Sequence, residues 1–238
     1  VETRADLDWA VGPRTAMMAF LNFAEPAGAI GREEWIRVGR GQGIPTFNDA
    51  AADVPPADRL GSYVREGFDL VAFSGGKGLR GPQSTGLLLG LADLVAVARL
   101  AASPADGIGR GLKVGKEEMV GLLAAVERYV TLDHDAERRR LDARAIEMLA
   151  ILTAVPGLTT RIDVPPIANH VPHVVLDWSG RADRPTARQV VDRLLAGEPP
   201  IVVAPEGERG LRIAVWTLLN DEHRLVARRV VEELTAGS

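Results

Sequence analysis

The sequence predicts an α/β fold with a mostly parallel sheet, followed by a smaller domain of the same class. Three observations predict it. Short apolar runs alternate with helical patterns through the first half. Glycines close several of the helical patterns. After residue 155 the spacing of strands and helices changes, which marks a second unit.

The elements follow in order. TAMMAFLNF (15–23) reads as a buried strand and REEWIRVGRGQG (32–43) as a helix stopped by glycine. IPTFND (44–49) is a strand, ADRLGSYVREG (57–67) a helix and FDLVAFS (68–74) a third strand. STGLLLG (84–90) is a fourth strand, expected to run antiparallel after the tight turn before it. LADLVAVARLAA (91–102) is helical. SPADGIGRGLKVG (103–115) is a loop, and KEEMVGLLAAVERYV with DHDAERRRLDARAIEMLAIL gives one or two long helices whose charges form a solvated face. Beyond VPGLTT (155–160), strands are expected near 161–164, 171–177, 200–204 and 211–216, with helices over 187–197 and 223–234. The domain division expected is 1–130 and 131–238.

Composition narrows the chemistry. The 238 residues are 46% hydrophobic and 25% charged, enough for a substantial core built from aliphatic side chains, because aromatics supply only 5%. There is no cysteine, which excludes disulfides, thiolate zinc sites, iron–sulfur clusters and thiol nucleophiles, and points to a reducing cytoplasm. The net charge of -4 argues against a broad nucleic-acid surface, though not against a local patch. Charges such as Asp93 and Arg99 interrupt the apolar runs, so no membrane span is read, and no signal peptide is visible.

The unusual stretch is FSGGKGLRGPQSTGLLLG (73–90), one lysine in a glycine-rich loop directly after a buried strand. A phosphate-binding P-loop fails here at two positions: Val71 stands where the first glycine belongs and Gly78 replaces the hydroxyl residue. No G-x-S-x-G occurs, and His134, His170, His173 and His223 show no H-E-x-x-H spacing. A reachable lysine amine at a strand end fits Schiff-base chemistry with pyridoxal phosphate. That cofactor needs a carboxylate at its ring nitrogen and donors for its phosphate. Asp49 ends the preceding strand, Ser74, Gly75 and Gly76 can supply phosphate donors, Ala51 can lie flat against the ring, and the glycines would let the cofactor approach the backbone. On the competing reading Asp49 is a capping aspartate, Ser74 a turn hydroxyl and Lys77 an exposed loop lysine.

FNDAAADVPP, DLVAFSGGKGLRGPQSTGLLLG and GIGRGLKVGKEEMVGLLAAVERY together resemble the selenocysteine synthase-related pyridoxal-phosphate enzymes. This group includes L-seryl-tRNA(Sec) selenium transferase and D-glucosaminate-6-phosphate ammonia-lyase. The resemblance covers nearly all of residues 1–130 and weakens beyond them. It implies the aspartate-aminotransferase-like fold (fold type I), pyridoxal 5'-phosphate as cofactor, Lys77 as the Schiff-base lysine, Asp49 as the pyridinium partner and Ser74 as a phosphate ligand. Arg80, in GGKGLRGPQS, favours the lyase-like branch and would bind a substrate carboxylate or phosphate, with Gln83 and Arg212 as further substrate-binding candidates. The resemblance implies a homo-oligomer, since sites in this fold are completed across subunits, and the basic stretch with Arg110, Lys113 and Lys116 either reaches a neighbouring subunit's site or is a helix-capping loop. The expected activity is a lyase acting on an amino acid or amino-sugar acid. The alternatives are β-replacement on seryl-tRNA and a non-catalytic or partner-dependent fragment. In this fold the lysine lies late in the large domain, so the chain reads as the latter portion of a longer protein, short of roughly 130 residues.

Overall fold

The computed structural model describes residues 1–236. The chain divides into two compact units, one of residues 1–132 with 166–170, the other of 133–165 with 171–238.

The first unit holds a four-stranded sheet in the order β1-β2-β3-β4, formed by Met18–Leu21, Thr46–Asp49, Leu70–Ser74 and Gly86–Gly90. β1, β2 and β3 run parallel, with Leu21 opposite Asp49 and Asp49 opposite Ala72. β4 returns antiparallel to β3, as its tight connection implies. At the amino ends of the strands, Asp69 accepts hydrogen bonds from Thr46 N (2.7 Å) and Thr46 Oγ1 (2.9 Å), which pins the β2–β3 register. Gly90 has φ +146°, and a Cβ there would strike the Asp69 carbonyl, so only glycine ends β4 this close to β3.

The helices of this unit are α1 (Arg4–Ala10), α2 (Arg32–Gln42), α3 (Arg59–Glu66), α4 (Ala92–Ala101) and α5 (Lys116–Thr131). α2 ends at Gly43 in the left-handed conformation, as its closing glycine predicts. α1 has no counterpart among the expected elements; two turns long, it rests on a capping box between Thr3 and Asp6. The run expected as a strand over 15–23 is shorter, because Asn22–Ala27 turn into a 3₁₀ helix. Phe20, Trp35, Phe68, Val71 and Phe73 centre the core.

In the second unit β5 (Thr159–Asp163), β6 (His173–Asp177), β7 (Ala204–Pro205) and β8 (Gly210–Ala214) form a sheet in the order β5-β6-β8-β7. All its pairings are antiparallel, so in this smaller unit the helices cover an antiparallel sheet, unlike the mostly parallel sheet of the first. The strand expected at 200–204 is reduced to two residues: Pro199 and Pro200 carry no backbone donor, and Ile201 and Val203 are buried without joining the ladder. The two long helices expected are α5 and α6 (His134–Leu152), and they fall in different units. α6, α7 (Ala187–Ala196) and α8 (Glu222–Thr235) enclose Met148, Leu152, Leu176, Leu194, Leu211 and Leu234, all buried. Trp178 packs in this core and donates to Pro185 O at 2.8 Å.

Three titrating groups make the second unit sensitive to acid. Burial pushes the His173 imidazole below its ordinary 6.5, and its Nδ1–H donates to Val171 O at 2.9 Å. Arg212 holds both Asp163 and Glu206 below their ordinary values through hydrogen bonds. For each group the unfolded chain binds the proton first, so stability must fall as pH falls. The loss should begin below 6.5 as His173 titrates, and continue below 4.5 and 3.8 as the carboxylates do. Denaturant melts at stepped pH should show both phases, with His173→Gln removing the first; a stability that stays flat from neutral pH down through the carboxylate range would contradict this account.

Candidate active site

The carboxyl ends of β2 and β3 lie side by side, and two of the predicted residues stand there. Asp49 is the last residue of β2 and Ser74 the last of β3. Lys77 follows three residues later, exposed in the turn. Both Asp49 and Ser74 are half-buried. In a parallel sheet this edge is where ligands bind, since the connections splay apart and backbone groups are left facing outward. Asp49 Oδ1 accepts Ala51 N at 3.1 Å, and Ser74 N donates to Ala51 O at 3.3 Å, so Ala51 sits between the two strand ends.

The lysine turn is built largely by its own packing. Arg80 N donates to Lys77 O at 2.9 Å, and Gly81 N to Gly75 O at 2.7 Å. A Cβ on Gly75 would collide with Thr85 Oγ1, one on Gly76 with Gln83, and one on Gly78 with the Val54 carbonyl. The space on the Cβ side of these three glycines is therefore filled by protein. The phosphate-donor reading is corrected in part. Ser74 N and Gly75 N are spent on Ala51 O and Thr85 O, which leaves the Ser74 hydroxyl and the Gly76 N–H from that set. Gln83 donates to Gly76 O at 3.0 Å and so braces the turn. Arg80 is exposed with φ +57°, a left-handed conformation costly for arginine. Its charge offsets part of the upward push that burial gives the Tyr129 phenol.

α5 buttresses the turn from behind. Pro82 fills the space at Gly121, Leu122 lies against Gly75 and Gly81, and Ser84 hydrogen-bonds Glu118 in the first turn of the helix. Arg110 is held locally by Ser103 Oγ, Pro104 O and Asp106. Arg212 belongs to the other unit, where its guanidinium donates to both Glu206 oxygens (3.0 Å each) and to Asp163 Oδ2 (2.6 Å). Its fork is thus already engaged by two carboxylates. Among the described residues no group of three His, Asp or Glu side chains is arranged to hold a metal ion, and no helix is long and apolar enough to cross a membrane.

A buried polar cluster under the same edge was not anticipated. Asn22, at the end of β1, donates to Asp53 and to Tyr63 Oη (2.9 Å); Tyr63 Oη donates to Asp53 Oδ2 at 2.9 Å; and Arg32 donates to Asn22 Oδ1 at 3.3 Å while lying over the Tyr63 ring. Burial, then the Asp53 charge, pushes the Tyr63 phenol far up, so it stays protonated and donates. The only signal in sequence is that Asn22 and Asp53 each follow a strand within a few residues.

An amine, a carboxylate and a hydroxyl on one strand edge match the three anchoring points of pyridoxal phosphate. The comparisons bear on this set. No family model matches the chain. It is 32% identical over 201 residues to a 5'-C-glycyluridine monooxygenase-decarboxylase from a Streptomyces species, covering 83% of this chain and 48% of that protein. It is 28% identical over 163 residues to D-glucosaminate-6-phosphate ammonia lyase of Salmonella typhimurium (68% of this chain, 41% of that protein). It is 26% identical over 262 residues to L-seryl-tRNA(Sec) selenium transferase of Moorella thermoacetica (96% and 54%). The chain is related to these enzymes. It spans about half the length of the curated relatives it matches. Among solved structures, D-glucosaminate-6-phosphate ammonia-lyase aligns with a TM-score of 0.72 at 24% identity, over 98% of this chain and 62% of that one. An aminotransferase from Streptoalloteichus hindustanus aligns with a TM-score of 0.55 at 17% identity, over 96% and 68%. The fold is the aspartate-aminotransferase-like fold of type I pyridoxal-phosphate enzymes. The monooxygenase-decarboxylase adds a chemistry that the sequence reading did not weigh.

Gly78→Ala tests the packing of the turn. The new methyl must displace the Val54 carbonyl, and overpacking of this kind costs about 1–3 kcal/mol. A urea melt should show the loss; an unchanged midpoint would mean that the turn yields freely.

Proposed function

We propose that this chain carries the cofactor-binding and catalytic lysine of a pyridoxal-phosphate-dependent lyase acting on an amino acid or amino-sugar acid. The observation that carries the reading is the placement of Asp49 and the Lys77 turn at the adjacent carboxyl ends of two parallel strands, Asp49 being in register with Ala72. When bound, pyridoxal phosphate supplies an electron sink for a carbanion at the substrate Cα. Lys77 would hold its aldehyde covalently, Asp49 its protonated ring nitrogen, Ser74 a phosphate oxygen, and Ala51, between the two strands, would lie against the ring. Lys77 would also stand as the base for the proton at the substrate Cα. The exposed Arg80 and Gln83 are the proposed substrate-side groups, Arg80 for a carboxylate or phosphate. Arg212 is the weaker candidate, because releasing its fork for a substrate would strand Asp163 and Glu206.

The relatives set the range of chemistry: ammonia elimination, selenium transfer to a seryl-tRNA, and oxygen-dependent decarboxylation are what those proteins' names describe. The lyase reading is favoured over the tRNA reading by the net charge of -4, which offers little general attraction for a polyanion. By the same resemblance the protein is proposed to be a homo-oligomer, and the lack of cysteine fits a cytoplasmic location.

Reduction with borohydride in the presence of pyridoxal phosphate should leave a phosphopyridoxyl group on Lys77, and mass mapping should find none on Lys77→Ala. A label spread over surface lysines would sink the assignment. With D-glucosaminate 6-phosphate as probe, Arg80→Ala should raise KM at least about tenfold, the worth of one charge-assisted contact, while cofactor affinity holds. Equal KM values in the two proteins would remove Arg80 from substrate binding.

A further inference from the structure

The loop that continues from Asp49 is held by two other segments. One is the lysine turn: Ser74 N bonds Ala51 O, and Val54 O occupies the space beside Gly78. The other is the segment 166–170, which lies in sequence between β5 and β6 but belongs with the first unit. Three hydrogen bonds secure it there. Asn169 N donates to Ala52 O at 2.7 Å, Ala168 N to Asp53 Oδ1 at 3.0 Å, and Arg59 Nη2 to Pro166 O at 2.7 Å. Ala168 and Asn169 have φ of +55° and +46°. Two successive non-glycine residues in this region are strained, and such strain persists only where neighbours over-determine it.

The anchor is itself expensive. Asp53 is 1% exposed, and a buried carboxylate is tolerated only when its oxygens are satisfied. Asp53 accepts from Asn22, Tyr63 and Ala168 N, so a buried charge and a strained backbone are both spent on fixing five residues beside the loop that carries Asp49 and Ala51. A connection between two strands needs neither. We infer that residues 166–170 form the substrate-side wall of the Lys77 site, with the Asn169 amide reading a carboxylate or hydroxyl of the bound amino acid and Asp53 as the positioning residue that holds it. The inference rests on the cofactor reading above and adds to it a determinant of specificity.

The test separates cofactor from substrate. The probe is the reduced conjugate phosphopyridoxyl-serine, and its dissociation constant is compared with that of pyridoxal phosphate on the complete product of the reading frame. Asn169→Gly keeps a residue at home at φ +46° and deletes only the amide. It should weaken the conjugate about tenfold and change pyridoxal phosphate binding less than about twofold. Asp53→Asn should show the same split, together with faster hydrogen exchange at the Ala168 and Asn169 amides. If Asn169→Gly weakens both ligands equally, or neither, the wall is overturned while the cofactor site stands. If the unaltered protein takes up no pyridoxal phosphate, the cofactor reading fails and the wall with it.

Discussion

The geometry of the site depends on the parallel pairing of β2 with β3. That pairing is locked at its amino end by Asp69, whose carboxylate takes both the N–H and the hydroxyl of Thr46. A slip of one residue would turn Asp49 to the opposite face of the sheet and leave the lysine turn without a carboxylate beside it. The constraint at one end of the strands thus sets the chemistry at the other. Everything else at the edge elaborates on it: Ala51 bridges the two strand ends, Val54 seals the turn, and Asp53 gathers Asn22, Tyr63 and Ala168 beneath.

The glycine-rich loop around Lys77 has a packing reason of its own. The glycines mark a segment where something must come very close to the backbone. That something is the protein: Thr85, Gln83 and Val54 occupy the positions that side chains would need. A turn packed in this way fixes where the lysine amine starts, and the side chain supplies the reach. Rigid backbone under a flexible amine suits a residue that must first hold a group and then act on it.

Much of this was legible in the sequence, for identifiable reasons. The β2–α3–β3 unit declares itself through apolar runs ended by Asp49 and Ser74 and a helix closed by Gly67. The reversal of β4 followed from the shortness of its connection. What the sequence hid depends on contacts between distant residues. Nothing local to Asp53 says that its carboxylate will meet Ala168, 115 residues away, and nothing local to Arg212 says that Glu206 and Asp163 will occupy its fork. The antiparallel pairing of the second sheet was not legible, because strand pairing is a tertiary choice that apolar runs alone do not fix. The strand at 200–204 is curtailed by contacts of the same kind: Pro200 has no donor, and the Ile201 N–H is taken by Leu194 O of α7.

The hairpin that carries the lysine and the contacts that hold 166–170 differ greatly in how far the chain must travel to form them. β3 and β4 close across a dozen residues, so their entropy of closure is small and can be met early, while the rest of the chain is still loose. The bond from Ala168 to Asp53 closes a loop of 115 residues, and becomes favourable only once Asn22 and Tyr63 have assembled around the carboxylate. Topology then favours an order of assembly, with the lysine turn formed early and 166–170 fastened late. On partial unfolding the sequence reverses, so the chain can loosen its grip on 166–170 while the lysine keeps its place.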